Sequence, residues 1–130
     1  VIYLLDVNAL LALAHASHTA HTRVESWVKT LRRTDRLATC AITELGFVRI
    51  APQARLSPDV AGARALLGML KQSERPAFTM LADALGAETL PAWVKTPAQT
   101  TDGHLLALAG AHGGRLATLD AGIPGATLIA

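Results

Sequence analysis

The sequence contains a single cysteine, Cys40. An intrachain disulfide is therefore excluded, and so is a zinc site built from several thiolates. A reducing, cytoplasmic setting is the default expectation. Aromatic residues make up only 4% of the chain against 51% hydrophobic residues overall. Leu, Ala, Val and Ile must then build the core, which suits helices packed on a sheet better than an aromatic-rich sandwich. No apolar run approaches the roughly 18–20 residues needed to span a bilayer. The opening Val1-Ile2-Tyr3-Leu4-Leu5-Asp6 lacks the basic lead and long apolar centre of a secretion signal. A Walker-type phosphate loop is missing too, since Gly113-Gly114 reads as a helix stop. No nucleophile-elbow motif supports a Ser/His/Asp triad. Neither sign of charge dominates: 12 Lys and Arg face 10 Asp and Glu, for a net charge of +2. That balance is too mild to declare a nucleic-acid partner.

What is present is an alternation of strand and helix signals over 130 residues, a length that suits one domain, 1–130. Val1–Leu5 reads as a short buried strand, closed by Asp6. Ala9, Leu10, Leu11 and Leu13 start a helical stretch. A second helix is expected from about Thr19 to Arg33, with Val24, Trp27, Val28 and Leu31 on one face and Arg32 and Arg33 in its last turn. Leu37–Cys40 reads as a strand, followed by a helix from Thr43-Glu44 that stops near Pro52. Ser57-Pro58-Asp59 is a helix-start signal with Ser57 as the cap, and the helix runs to about Gln72. A third strand near Phe78–Leu81 precedes a short helix near Ala82–Leu85 and a loop holding Pro91 and Pro97. A helix from Thr100 to His112, a strand Arg115–Leu119 and a closing strand Thr127–Ile129 complete the pattern. Strands alternating with helices imply an α/β sandwich with a mainly parallel sheet.

Four acids fall at the ends of these elements. Asp6 and Asp120 each follow a buried strand directly, where open parallel sheets collect their ligands. Glu44 and Asp102 each sit in the first turn of a helix. All four can share one edge of the sheet. Singly, each has an ordinary explanation: Asp6 caps a helix, Glu44 and Asp102 complement helix dipoles, and Asp120 starts a turn. Together they leave unexplained why Leu4-Leu5-Asp6 and Thr118-Leu119-Asp120 both deliver an acid from a buried strand. Two unit charges about 4 Å apart repel by about 4 kcal/mol at an effective dielectric near 20. Protons or cations must neutralise such a cluster. All-oxygen ligands suit Mg²⁺ and Mn²⁺, which meet substrate phosphates directly and promote in-line attack on a phosphodiester. With four acids neutralised, twelve bases would face six acids, a surface that attracts a phosphate backbone.

At this point a family resemblance becomes specific. The segments Leu4-Leu5-Asp6-Val7-Asn8-Ala9-Leu10, Ile42-Thr43-Glu44, Thr101-Asp102-Gly103-His104-Leu105-Leu106 and Leu116-Ala117-Thr118-Leu119-Asp120 are similar, in chain order, to the four acidic motifs of PIN-domain nucleases. His18-x-x-His21 followed by Trp27, and Ala111-His112-Gly113-Gly114-Arg115-Leu116, resemble stretches common in the VapC toxins of bacterial toxin–antitoxin pairs. The resemblance covers nearly the whole chain. It implies a PIN-like three-layer α/β/α sandwich and a metal-dependent endoribonuclease. It further implies that Asp6, Glu44, Asp102 and Asp120 are the catalytic and metal-binding acids, with Mg²⁺ or Mn²⁺ as cofactor. Asn8, Thr101 and Thr118 would be the hydrogen-bonders that orient them, although cap and strand roles account for these three equally well. A homodimer and a small VapB-like antitoxin that blocks the acidic groove, often with an arginine, are implied as well. Gly103 and Leu119 depart from the family pattern: Gly103 loosens a helix start, and Leu119 stands where an aromatic is common. A PIN-type nuclease of housekeeping RNA processing, or a PIN-fold scaffold that binds RNA or protein without cutting, are the alternatives. Four intact acids argue against the scaffold.

Other signals compete less well. His15, His18 and His21 recur every three residues, a spacing that admits a zinc site, a solvated helix start or a partner surface. Asp6-Val7-Asn8 resembles the nucleophile segment of haloacid-dehalogenase-like enzymes, which normally need a second aspartate where Asn8 stands. Arg23, Lys29, Arg32, Arg33 and Arg36 form a basic stretch, most simply a solvated face without the interleaved aromatics of an RNA groove.

Overall fold

The structure, a computed structural model, describes residues 1–130. Five parallel strands form one sheet: β1 (Ile2–Leu5), β2 (Arg36–Cys40), β3 (Ala77–Leu81), β4 (Arg115–Thr118) and β5 (Thr127–Leu128), in the order β3-β2-β1-β4-β5. The helices are α1 (Val7–Ala14), α2 (His21–Lys29), α3 (Ala41–Gln53), α4 (Val60–Lys71) and α5 (Thr100–Ala111). No helix is long and apolar enough to cross a membrane.

The period-two geometry of a strand explains the layers. In β1, Leu5 packs with α1, α3 and α4 residues such as Leu10, Phe47 and Leu67, while its neighbour Leu4 joins Leu105 and Leu108 of α5. The same split separates Leu37 from Ala38 in β2 and Ala117 from Leu116 in β4. Both faces of each central strand are thus buried, which is why these strands read as unbroken apolar runs. Each fully buried leucine contributes about 1.5–3 kcal/mol of hydrophobic stabilisation. The few aromatics are used locally: Tyr3 of β1 and Trp27 of α2 meet edge to face, with centroids 5.2 Å apart.

The winding positions the site. From β1 the chain steps outward to β2 and β3, then returns through α5 to β4 on the other side of β1. The direction of winding therefore reverses between β1 and β4. The carboxyl ends of these two strands flank the crevice where such folds bind ligands.

Three local expectations are corrected. The second helix is shorter than Thr19–Arg33: Thr30 Oγ1 donates to the Trp27 carbonyl and Asp35 accepts the Arg32 N–H, so Arg32 and Arg33 lie beyond its end. Asp59, rather than Ser57, caps α4, accepting the Gly62 N–H at 2.7 Å. Residues Ala82–Leu85 form no helix. Asp83 turns back to accept the Leu85 N–H, and the Ala82 carbonyl accepts from His112, the residue just past α5. The glycine stop is in place, with Gly113 at φ +70°, a backbone region that side chains disfavour.

Candidate functional site

Asp6 leaves β1 and caps α1: its Oδ1 accepts the Ala9 N–H at 2.8 Å. Its Oδ2 accepts from the Thr118 hydroxyl at 2.5 Å, a bond between the last residue of β4 and the residue after β1. The Thr118 oxygen also accepts the Asp120 N–H at 3.0 Å, so one hydroxyl links two acids. Asp120 Oδ1 in turn accepts the Gly122 N–H at 2.7 Å, closing a tight turn. Asp102 arrives from the first turn of α5 on the other face of the sheet. Asp6, Asn8, Thr101, Asp102 and Asp120 line one open cleft of about 290 Å³.

The electrostatics of that cleft are unfavourable without a counter-ion. Burial raises the Asp6 pKa, and the charge of Asp120 raises it further, while the bonds from Thr118 and Ala9 pull the other way. Burial raises the Asp102 pKa as well, followed by the charges of Asp6 and Asp120. No basic side chain lines the cleft. An ionised carboxylate offers about four lone-pair sites, and Asp6 commits two of them within the chain. Hard oxygen donors with unspent lone pairs and mutual repulsion fit a Mg²⁺ or Mn²⁺ ion.

Glu44 stands apart. It occupies the first turn of α3, but its carboxylate lies in a neighbouring depression of about 340 Å³ between α3 and α4. There Oε2 accepts from Thr39 Oγ1 at 2.5 Å and pairs with Lys71 Nζ at 2.8 Å. No three His, Cys, Asp or Glu side chains converge into a ready-made metal cage. Sequence reasoning did not single out Thr39 or Lys71. Thr39 is the penultimate residue of β2 and Thr118 the last of β4, and a threonine near the carboxyl end of a strand is a parallel that could have marked it. Lys71 lies on another helix, and no spacing connects it to Glu44.

The remaining polar residues divide. Thr101 is exposed on the cleft wall. Asn8 bonds to none of the acids; its Oδ1 lies 3.0 Å from His18 Nε2. His15 is buried, bonded through Nδ1 to the Leu11 carbonyl and through Nε2 to Ser57 Oγ at 2.7 Å, and stacked on Phe47. That Ser–His pair resembles a nucleophile with its base, but both members are sealed in the core. His21 bonds to the Ala12 carbonyl and pairs with Glu25. The three histidines are thus committed to three different partners, which leaves no shared zinc site among them.

Comparison with known proteins bears on the family and the fold. No protein-family model matches the chain. Ribonuclease VapC38 of Mycobacterium tuberculosis is 42% identical over 123 residues, covering 92% of this chain and 86% of the relative. Ribonuclease VapC44 of the same species is 38% identical over 133 residues, covering 95% and 93%. Among solved structures, M. tuberculosis VapC20, described as a sarcin-ricin loop cleaving toxin, superposes with a TM-score of 0.64 at 12% identity, covering 93% of this chain and 92% of its own. VapBC2 from Rickettsia felis, bound to a DNA fragment from its promoter, gives a TM-score of 0.61 at 15% identity, covering 98% and 97%. The two structures establish the PIN-like α/β/α fold. With relatives of that name 35–42% identical over more than nine-tenths of its length, the chain belongs to the VapC ribonuclease family.

Proposed function

We propose that residues 1–130 form one nuclease domain in which Asp6, Asp102 and Asp120, joined by Glu44, hold Mg²⁺ or Mn²⁺ and cut RNA. As a VapC ribonuclease the chain is an endoribonuclease, the toxin of a toxin–antitoxin pair. The observation that carries the site assignment is that three carboxylates line one cleft with no basic side chain among them. When bound, the cation supplies Lewis-acid charge to the phosphodiester and lowers the pKa of water. The chain's own contribution is orientation. Thr118 and the Ala9 N–H hold Asp6, the Gly122 N–H holds Asp120, and α5 delivers Asp102. Glu44 would complete the ligand set only by giving up its pair with Lys71, and Thr101 lies beside Asp102 on the cleft wall. The cleft wall has no aromatic side chain, so RNA is gripped by its backbone rather than by stacked bases.

The partners follow from the same surface. Three uncompensated carboxylates suit a guanidinium, which binds carboxylates bidentately, so a VapB-like antitoxin blocks the cleft with an arginine. Exposed Leu45 of α3 and Val60 and Met69 of α4 supply apolar surface for that antitoxin or for the second copy in a homodimer. An RNA substrate places the protein in the cytoplasm. The test is cleavage of RNA by the purified chain in Mg²⁺ or Mn²⁺, in excess EDTA, and after the metal is returned. Activity is expected to vanish in EDTA and to recover on re-addition. Cleavage that survives EDTA rules the carboxylate site out.

A further inference from the structure

Asn8 lies in the first turn of α1 and is one of the residues that line the acid cleft. Its oxygen faces His18 Nε2 at 3.0 Å. The other side of the imidazole decides which group donates. The Ala20 N–H donates to His18 Nδ1 at 3.0 Å. A backbone N–H has nothing to accept with, so Nδ1 carries the lone pair and the proton sits on Nε2. Nε2–H therefore donates to Asn8 Oδ1. The two ends of an amide are otherwise hard to tell apart, and this bond assigns them. The oxygen is turned to His18, and the Nδ2 amino group, with its two N–H donors, is the end without a partner in the chain and so the one left for the cleft. Burial and the neighbouring His15 and His21 hold the His18 pKa below the ordinary histidine value, in keeping with a neutral ring.

We propose that His18 is a positioning residue that turns the Asn8 amide into a fixed hydrogen-bond donor for a phosphate oxygen of the bound RNA; this rests on reading the acid cleft as the cutting site. Asn8 touches the substrate, and His18 acts only through it. The cleft explains why a neutral donor is used. Its acidic walls repel phosphate, and a Lys or Arg placed among them would pair with the acids and compete with the cation. An amide offers N–H groups without a charge. Left free to rotate, it would present its oxygen to the phosphate for part of the time. His18 removes that orientation.

The test combines kinetics with NMR on the whole chain. His18→Ala is expected to lower kcat/KM about tenfold with little change in melting temperature, and His18→Gln, whose amide N–H reaches a similar position, to restore most of it. The double variant His18→Ala/Asn8→Ala should cut no more slowly than Asn8→Ala alone, because the two residues act as one unit. Wild-type rates in His18→Ala, or losses that multiply in the double variant, overturn the proposal. The NMR readout does not depend on activity. In the wild-type protein the His18 ¹⁵N shifts should show the Nε2–H tautomer, and the Asn8 side-chain amide signals should move in His18→Gln and His18→Ala. A protonated Nδ1, or an Asn8 amide indifferent to His18, overturns the positioning role even if RNA is cut. A wild-type chain that cuts no RNA in Mg²⁺, with the His18–Asn8 bond present by NMR, overturns the cleft assignment and with it the phosphate contact.

Discussion

Thr118 links two acidic residues with one hydroxyl, donating to the Asp6 carboxylate and accepting the Asp120 backbone N–H. Replacing it with valine keeps the shape and removes both bonds. Thr118→Val is expected to reduce single-turnover cleavage about 10–100-fold, the usual cost of losing a group that orients a metal ligand, while Thr118→Ser retains most activity. Equal rates for the two variants would show that the hydroxyl does not matter. At this scale the sequence was uneven as a guide. Asp6 and Asp120 were legible because each directly follows a buried apolar strand. Glu44 was legible in its helix turn but not in its partner, since Lys71 is joined to it only by the packing of α3 on α4. Ser57 read as a helix cap because Ser-Pro-Asp carries two cap residues. The longer reach to buried His15 selected its place, and Asp59 took the cap.

Within the elements, α5 contains two glycines with opposite roles. A Cβ on Gly103 would come within 2.3 Å of Val94 Cγ2, whereas one on Gly110 meets nothing within 4 Å. Alanine favours a helix over glycine by about 0.5–1 kcal/mol. Gly110→Ala is therefore expected to raise stability by about that amount. Gly103→Ala should lower it by about 1–3 kcal/mol through overpacking, and lower cleavage as well, since Asp102 is the adjacent residue. Urea unfolding of the two variants checks the sign of each. If both stabilise, the contact with Val94 is soft. Gly103, which in the sequence looks like a loosened helix start, is the residue that lets α5 dock against the loop before it. The strands were legible to within a residue, and in the central β1, β2 and β4 this is because burial on both faces enforces an apolar run. The ends of α2 and the Ala82–Leu85 segment were not. Hydrogen bonds accepted by Asp35 and made by His104 and His112 settle them, and no local pattern encodes those contacts.

Over the whole molecule, sheet order creates the site: winding reverses between β1 and β4, and the acids at their ends meet Asp102 from the opposite layer. This set was legible as an ordered series of motifs, whereas its separation from Glu44 depends on side-chain packing. The acid cluster also leaves a mark on stability. Asp6 and Asp102 have folded pKa values above the ordinary carboxylate value of 3.8, so the folded state holds more protons as pH rises through that window. Their contribution to stability therefore falls as pH climbs from about 4 towards neutrality. Asp35 and Asp83, with lowered values, act below 3.8, where their stabilisation is lost as pH falls. The depressed His18 value adds stability as pH rises towards 6.5, so the acid effect is best isolated by difference. In EDTA, Asp6→Asn is expected to melt above wild type, by a margin that widens from pH 4 to pH 7. Mg²⁺ should raise the wild-type melting temperature at neutral pH by binding only the folded state. A margin that stays flat or narrows would show that Asp6 is not held under repulsion.

The most direct measurement is the RNA cleavage rate of that same Asp6→Asn protein in Mg²⁺. Asparagine still caps α1 and can exchange a hydrogen bond with Thr118, so the fold is kept while one anionic ligand is removed. Cleavage is expected to be abolished in a protein that melts at or above the wild-type temperature in EDTA. A folded Asp6→Asn chain that cuts RNA at the wild-type rate would contradict the assignment of the catalytic centre to this acid cleft.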